Sequence, residues 1–468
     1  MHQHQKILFG TRYNFLITMK KTILSLSLLL GCFSYSQEHF SGISTSKRGG
    51  LLNANNNPAE LVNMSTKFEV NAFNFSLGMA NNKLSFSDLV NGDNLEDKIF
   101  EGDEAVNLRL DAQIFGPSFA MKYKKWGFGL TSVANVKANV INVDSKLGDA
   151  IQNGELSNIF SQTAISSNDN QRLNATTWGE LDFTIARNLI DLPKHKLNVG
   201  TNLRLLFPGA YANFSATNLN GTIVNNFGDI SLVDASATIN IAYAGVLAND
   251  YNDQGNYNEF FSQGINGFAA DLAVNYRWKD ETDPNSYRLN AGFSIKNIGS
   301  MTFKSDNNLS KNYILNVSGL ESLDLNQFEN VESLSEIEDI LNDPANAAYF
   351  QSTSSTDDYT VKLPTVINAY ADLRLTKKWF VTGSIYQKVN DDTESDFITT
   401  QNSYTLIPRF TTKWFEAYAP LAANEISGFT SGIGFRLSGF FIGSSSVFTA
   451  LADSGKQADL YLGVRFGF

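Results

Sequence analysis

Asp459-Leu-Tyr-Leu-Gly-Val-Arg-Phe-Gly-Phe468 alternates to its last residue. In an extended chain Leu460, Leu462, Val464, Phe466 and Phe468 share one face, while Asp459, Tyr461 and Arg465 share the other. The segment is therefore expected to be a strand with an apolar and a polar face, and the chain to stop on it. The same period of two recurs upstream. Leu197, Val199, Thr201, Leu203 and Leu205 alternate with Lys196, Asn198, Gly200, Asn202 and Arg204. Phe268 to Trp278 set apolar residues against Asp271, Asn275 and Arg277, and Tyr287 to Ile295 set them against Arg288 and Asn290. Ile367 to Leu375 place Asn368, Asp372 and Arg374 on the polar side, and Leu108 to Ile114 place Arg109, Asp111 and Gln113 there. Alternation changes phase near Ala72-Phe73, which predicts a bulge.

About 14 such strands are expected, separated by stretches rich in Asn, Asp, Ser and Gly that turn the chain. Charged residues at mid-strand decide how they close. In a membrane barrel the lumen receives Arg109, Asp111, Arg204, Asp271, Arg277, Arg288, Asp372 and Arg374, and lipid takes the apolar set. In a soluble sandwich the same charges would face water. A barrel closes its own edges and so satisfies every backbone hydrogen bond in lipid. The fold class expected is all-β, a transmembrane antiparallel barrel with a short N-terminal helical or plug segment. Trp126, Trp278, Trp379 and Trp414 lie near strand ends, where an interfacial aromatic belt would place them.

Composition narrows the chemistry. The 468 residues carry 36 Lys and Arg against 47 Asp and Glu, a net charge of -11 that offers nothing to a phosphate backbone, so nucleic acid is not expected as a partner. One cysteine and four histidines exclude an internal disulfide and a four-thiolate metal centre within the chain. The mean hydropathy of -0.18 would pass for soluble. Neither a phosphate-cradling loop nor a nucleophile elbow is present, so no catalytic residue or cofactor is implied. His39 and His195 are expected in satisfied surface roles.

Residues 19–36, MKKTILSLSLLLGCFSYS, read as an export signal: Lys20 and Lys21, an apolar run, then small residues. Residues 1–18 are then an extension ahead of the physiological start. Cys32 either leaves with the signal or, as Leu-Leu-Gly-Cys resembles a lipoprotein box, becomes the lipidated first residue. The remaining organisation is a periplasmic or plug segment over 37–65 and a barrel over 66–468, with long loops expected near 144–177 and 318–357. A short helix is expected within 84–104.

Before the first long strand stands GLLNANNNPAELVN, residues 50–63. Its Asn57-Pro58-Ala59 resembles the long-chain fatty acid transporter class of outer-membrane barrels, in which such a segment packs inside the barrel. With the run KFEVNAFNFSLGMANN from Lys67 to Asn82 and the strands up to Phe468, the chain more closely resembles an uncharacterised family of Bacteroidetes outer-membrane barrels. The terminal Phe468 resembles the signal by which such barrels are recognised for insertion. These resemblances imply the cell outer membrane, surrounding lipid and a small hydrophobic ligand that is bound or transported. A related barrel shuttles cargo for a secretion system, which implies the alternative, a structural or assembly component that contacts an envelope or secretion-system protein.

Residues 321–343 carry eight acids and no Lys or Arg, with Leu334, Ile337 and Leu341 at helical spacing. They read as an external loop with a helical cap; a pore lid or a docking surface is the alternative. Calcium-loop spacing is not present. Arg109, Arg204, Arg277, Arg288 and Arg374 are expected either to pair with Asp111, Asp182, Asp271 and Asp372 or to line a passage.

Overall fold

The computed structural model describes residues 39–468, apart from 93–94, 157–159, 246–263, 282, 284–285, 305–307, 329–330, 332, 391 and 453–454. Residues 1–38, with the segment read as an export signal and Cys32, lie outside the described residues.

The described residues form fourteen antiparallel strands, several of them in two or three pieces. They are β1 (Phe68–Asn81), β2 (Val106–Phe115 and Ser118–Tyr123), β3 (Trp126–Val143), β4 (Ser161–Ser166 and Asn170–Asp191) and β5 (His195–Asn226). Next come β6 (Asp229–Ala244 and Gly267–Lys279), β7 (Tyr287–Phe303 and Leu309–Val317), and β8 (Phe350–Thr356, Tyr359–Lys362 and Val366–Arg374). Then follow β9 (Trp379–Lys388), β10 (Ser403–Thr411), β11 (Phe415–Tyr418 and Leu421–Asn424) and β12 (Gly428–Ser431 and Ile433–Leu437). The last two are β13 (Phe440–Ser444) and β14 (Gln457–Gly467).

Each strand pairs with its sequence neighbours, and β14 returns to β1 from Glu69↔Gly467 to Ala80↔Gln457, so the sheet is a closed barrel. That ladder slips between Asn71 and Phe73, where the alternation changes phase. Among the described residues no helix is long and apolar enough to cross a membrane.

Short turns lie at one end, around 124–125, 192–194, 375–378 and 438–439, and the long connections lie at the other. Trp126, Trp278, Trp379 and Trp414 all sit at the short-turn end and are outward and exposed. Cations stack there: Arg187 lies 4.8 Å from the Trp126 ring and Lys413 5.1 Å from the Trp414 ring. This is the composition of an interfacial girdle.

Short helices punctuate the strands. Helix α1 (Leu51–Asn56) lies in the N-terminal segment, and α2 (Phe86–Asn91) and α3 (Leu95–Ile99) stand between β1 and β2, where the sequence implies a short helix. Two expected loops are shorter than the sequence implied. Within 144–177 a helix α4 (Ser145–Leu156) forms, but residues from Ser161 onward already belong to β4. Within 318–357 the strand β8 begins at Phe350. Polar, largely exposed residues disguised both strand starts, since they carry no apolar period.

The N-terminal segment fills the barrel. Helix α1 ends at Asn57, and a 3-10 turn runs from Pro58 to Asn63, with the Asn57 side chain accepting from the Ala59 amide at 3.0 Å. The wall makes room for it with glycine. A Cβ at Gly200 would stand 2.5 Å from the Ala59 nitrogen, and one at Gly292 would stand 2.6 Å from Asn57 Nδ2. Gly200→Val is therefore expected to push the segment off the wall at a cost of about 1–3 kcal/mol. Gly383→Val, where nothing lies within 4 Å, is the matched control. Proteolysis of the 39–66 segment in the Gly200 variant alone checks this; equal protection in both variants would refute it.

Candidate functional site

Strand alternation places an acid–base network inside the barrel. On β4 Arg172, Glu180 and Asp182 point inward, and Leu173, Ala175, Phe183 and Ile185 point outward. Arg204 on β5 reaches Asp271 at 2.6 Å and Glu180 at 3.3 Å, and Asn202 donates to Asp182 at 3.3 Å. Asp372 on β8 accepts from Arg409 at 2.7 Å, from Thr382 at 2.8 Å and from the Tyr287 hydroxyl. Asp111 pairs with Lys137.

The centre of the plug is Glu60, which sequence reasoning passed over. Its carboxylate is buried and accepts from Arg277 at 2.8 Å, Asn275 at 2.9 Å, Asn290 at 2.6 Å, Tyr370 at 2.6 Å and Asn63 at 2.8 Å. Burial alone would raise its pKa. The Arg277 guanidinium and the donated hydrogen bonds outweigh that, and the carboxyl titrates below its ordinary value of 4.5. Asn57 adds donations to the wall carbonyls of Val274 at 3.0 Å and Phe293 at 3.3 Å. An acid directly after Asn-Pro-Ala, in a stretch with no other charged residue, was the available signal.

Of the expected lumen residues, Arg109, Asp111, Arg204, Asp271, Arg277 and Asp372 face inward. Arg109 meets Asp392 at 3.3 Å. Arg374 stands at the short-turn rim, paired with Asp280 at 2.5 Å. Arg288 does not enter the lumen. The ladder slips between Tyr287 and Leu289, which turns Tyr287 inward and Arg288 outward, 5.6 Å from the Trp278 ring in the girdle. His39 is likewise not on the surface: it lies in the lumen, 3.1 Å from Asp111 and 2.8 Å from Ser76. His195 is exposed at the start of β5, directly after the 192–194 turn, 2.7 Å from the Tyr276 hydroxyl.

The connection 389–402 also dips into the lumen. Arg172 donates to the carbonyls of Glu394 at 2.7 Å and Phe397 at 3.2 Å, and the Tyr211 hydroxyl to that of Ser395 at 3.0 Å. Between this segment and the plug remains a polar void of about 80 Å³, reached by His39, Asp111, Lys137 and Arg204.

The large cavity lies on the other side of the wall. Ala212, Phe214 and Ala216 on β5 oppose the inward Tyr211, Asn213 and Ser215, so they face out, together with Leu173 and Ala175 on β4 and Ile239 on β6. Over this outward face folds the acidic segment. Its helix α5 (Leu334–Asn342) is capped by Ser333 and buries Leu334 and Leu341. Each such leucine contributes about 1.5–3 kcal/mol by leaving water. The Tyr243 hydroxyl donates to Glu338 at 2.7 Å, and Lys311 donates to Asn342 at 3.0 Å and pairs with Glu338 at 3.3 Å. Between flap and wall is a chamber of about 760 Å³, lined by aliphatic and phenylalanine side chains. Leu173, 51% exposed, lies at its edge and continues the lipid-facing row of Phe183 and Ile185. The acidic segment is thus not a loop in water, since its apolar side is packed on the barrel.

Fold and site together define a plugged fourteen-stranded barrel with an extramural apolar chamber. The family model described as "Family of unknown function (DUF5723)" matches residues 58–445, and the chain belongs to that family. Among solved structures the chain is similar to a Pseudomonas aeruginosa FadL homologue, at 9% identity over 93% of this chain and 100% of that one, with a TM-score of 0.40. It is also similar to the Ralstonia pickettii toluene transporter TbuX, at 8% identity over 89% and 92%, with a TM-score of 0.39. A third is the Pseudomonas putida toluene transporter TodX, at 8% identity over 92% and 93%, with a TM-score of 0.36. No curated protein matches.

Proposed function

We propose that this protein is an outer-membrane barrel that binds small hydrophobic molecules in the chamber between the β4–β6 wall and helix α5. The observation that carries the reading is the chamber itself. Its volume of about 760 Å³ falls in the range of small-molecule sites, and its lining is almost wholly apolar. The outward Phe, Leu and Trp of the strands and the one-sided aromatic girdle support a lipid surround. Residues 19–36 would direct export, and the family resemblance supports a Bacteroidetes outer membrane. The binding role is non-enzymatic in this reading.

The test is displacement of an environment-sensitive apolar dye from the purified protein in lipid nanodiscs. Ile239→Glu sets a charge against the chamber and is expected to weaken dye binding at least about tenfold, by the penalty for an unpaired buried carboxylate. Unchanged dye binding in a folded Ile239→Glu variant would reject the chamber as the site. A second reading, a structural or assembly component for an envelope or secretion-system protein, draws on the filled lumen. A stable protein partner retained through native-membrane purification is its test.

A further inference from the structure

The chemistry of the chamber goes beyond its apolarity, and its reading rests on the binding role proposed above. Among the described residues that line it there is no Lys, Arg or His. The polar residues along its lining are Asn139, Asn174, Asn326 and Ser333, and the side chain of each is engaged within the protein. Asn139 donates to Asn174 at 3.4 Å, and Asn174 donates to the Ala212 carbonyl at 3.4 Å. Asn326 accepts from the Ile230 amide at 2.7 Å and donates to the Gly228 carbonyl at 3.1 Å, while Ser333 accepts from the Glu336 amide at 3.2 Å. The cation beside the roof, Lys311, is held by Glu338 and Asn342. The roof helix itself carries Glu336, Glu338 and Asp339.

We infer that the chamber selects uncharged apolar molecules, hydrocarbons and their neutral derivatives, and rejects free fatty acids and other anionic amphiphiles. A carboxylate drawn in with its chain would lose water and, among the described lining residues, would find no cation to pair with. An uncharged chain of equal length gains the same apolar contact without that penalty.

The experiment compares hexadecane, hexadecan-1-ol and hexadecanoate as competitors of the dye in nanodiscs at pH 8, each corrected for partition into empty nanodiscs. The two neutral compounds are expected to displace the dye at concentrations at least about tenfold lower than hexadecanoate, a difference of about 1.4 kcal/mol or more. Phe328→Arg, which puts a cation into the lining from the half-buried flap, is expected to narrow that gap to within about threefold. Hexadecanoate competing as well as or better than the neutral compounds in the wild-type protein would overturn the selectivity while leaving the binding role standing. Displacement by none of the three would overturn both. A gap that Phe328→Arg leaves unchanged would show that the missing cation is not its cause, and would overturn the electrostatic basis of the selectivity.

Discussion

Glu60→Ala is expected to lower the unfolding free energy by about 3–5 kcal/mol, because it leaves the Arg277 guanidinium in the lumen without its carboxylate. Five donors lose their common acceptor in the same step, so the plug should leave the wall before the barrel itself opens. The variant is therefore expected to conduct ions in a planar bilayer where the wild-type protein does not, and to show an early phase in urea unfolding. Glu60→Ala with Arg277→Ala removes the uncompensated charge and should recover part of the loss. Acid is expected to act in the same direction. The carboxyl titrates lower in the folded protein than its ordinary value, so its contribution is complete above the ordinary carboxylate range and is lost as pH falls through the folded value. Acid-induced conductance in the wild-type protein that is unchanged in Glu60→Gln would contradict a role for this carboxyl.

Asp372→Ala is expected to cost a similar amount, roughly 3–5 kcal/mol, but to act on the wall. Asp372 and Arg409 are both fully buried, and the acceptor joins β7, β8, β9 and β10 through Tyr287, Thr382 and Arg409. Its loss should lower the temperature at which the heat-modifiable band converts on a gel, without an early plug phase. Asp372→Ala combined with Arg409→Met replaces the pair by apolar groups and is expected to regain most of the stability. A single variant as stable as the wild-type protein would show that the pair contributes nothing to the wall.

The barrel was legible because its sequence code is local. Leu197 to Leu205 and Leu460 to Phe468 declare a face with every second residue, and no tertiary information is needed to read it. Bulges defeat that reading. One slip between Tyr287 and Leu289 reversed Arg288, and nothing in those three residues announces it. Glu60 was missed for another reason: its partners Asn275, Asn290 and Tyr370 lie 215 to 310 residues away, so their convergence exists only after closure. Leu334, Ile337 and Leu341 gave the helix but not its destination, because helical spacing states that a face is buried and not against what. The short strands of β11 to β13 carry too few residues for a period to emerge.

The seam between β14 and β1 gives the molecule its cooperativity. It joins residues nearly 400 positions apart, such as Glu69 and Arg465, which form a buried pair with two contacts at 3.1 Å. Closing a loop of that length costs about 5 kcal/mol in chain entropy, incurred before the pairing is complete. The same last strand holds the plug, since the Tyr461 hydroxyl donates to the Ser41 carbonyl at 2.6 Å. Wall closure and plug seating are therefore linked through β14. A half-zipped barrel would have neither a finished edge nor a fully seated plug, so the open sheet is the costly state and the sealed vessel the one in which both are satisfied.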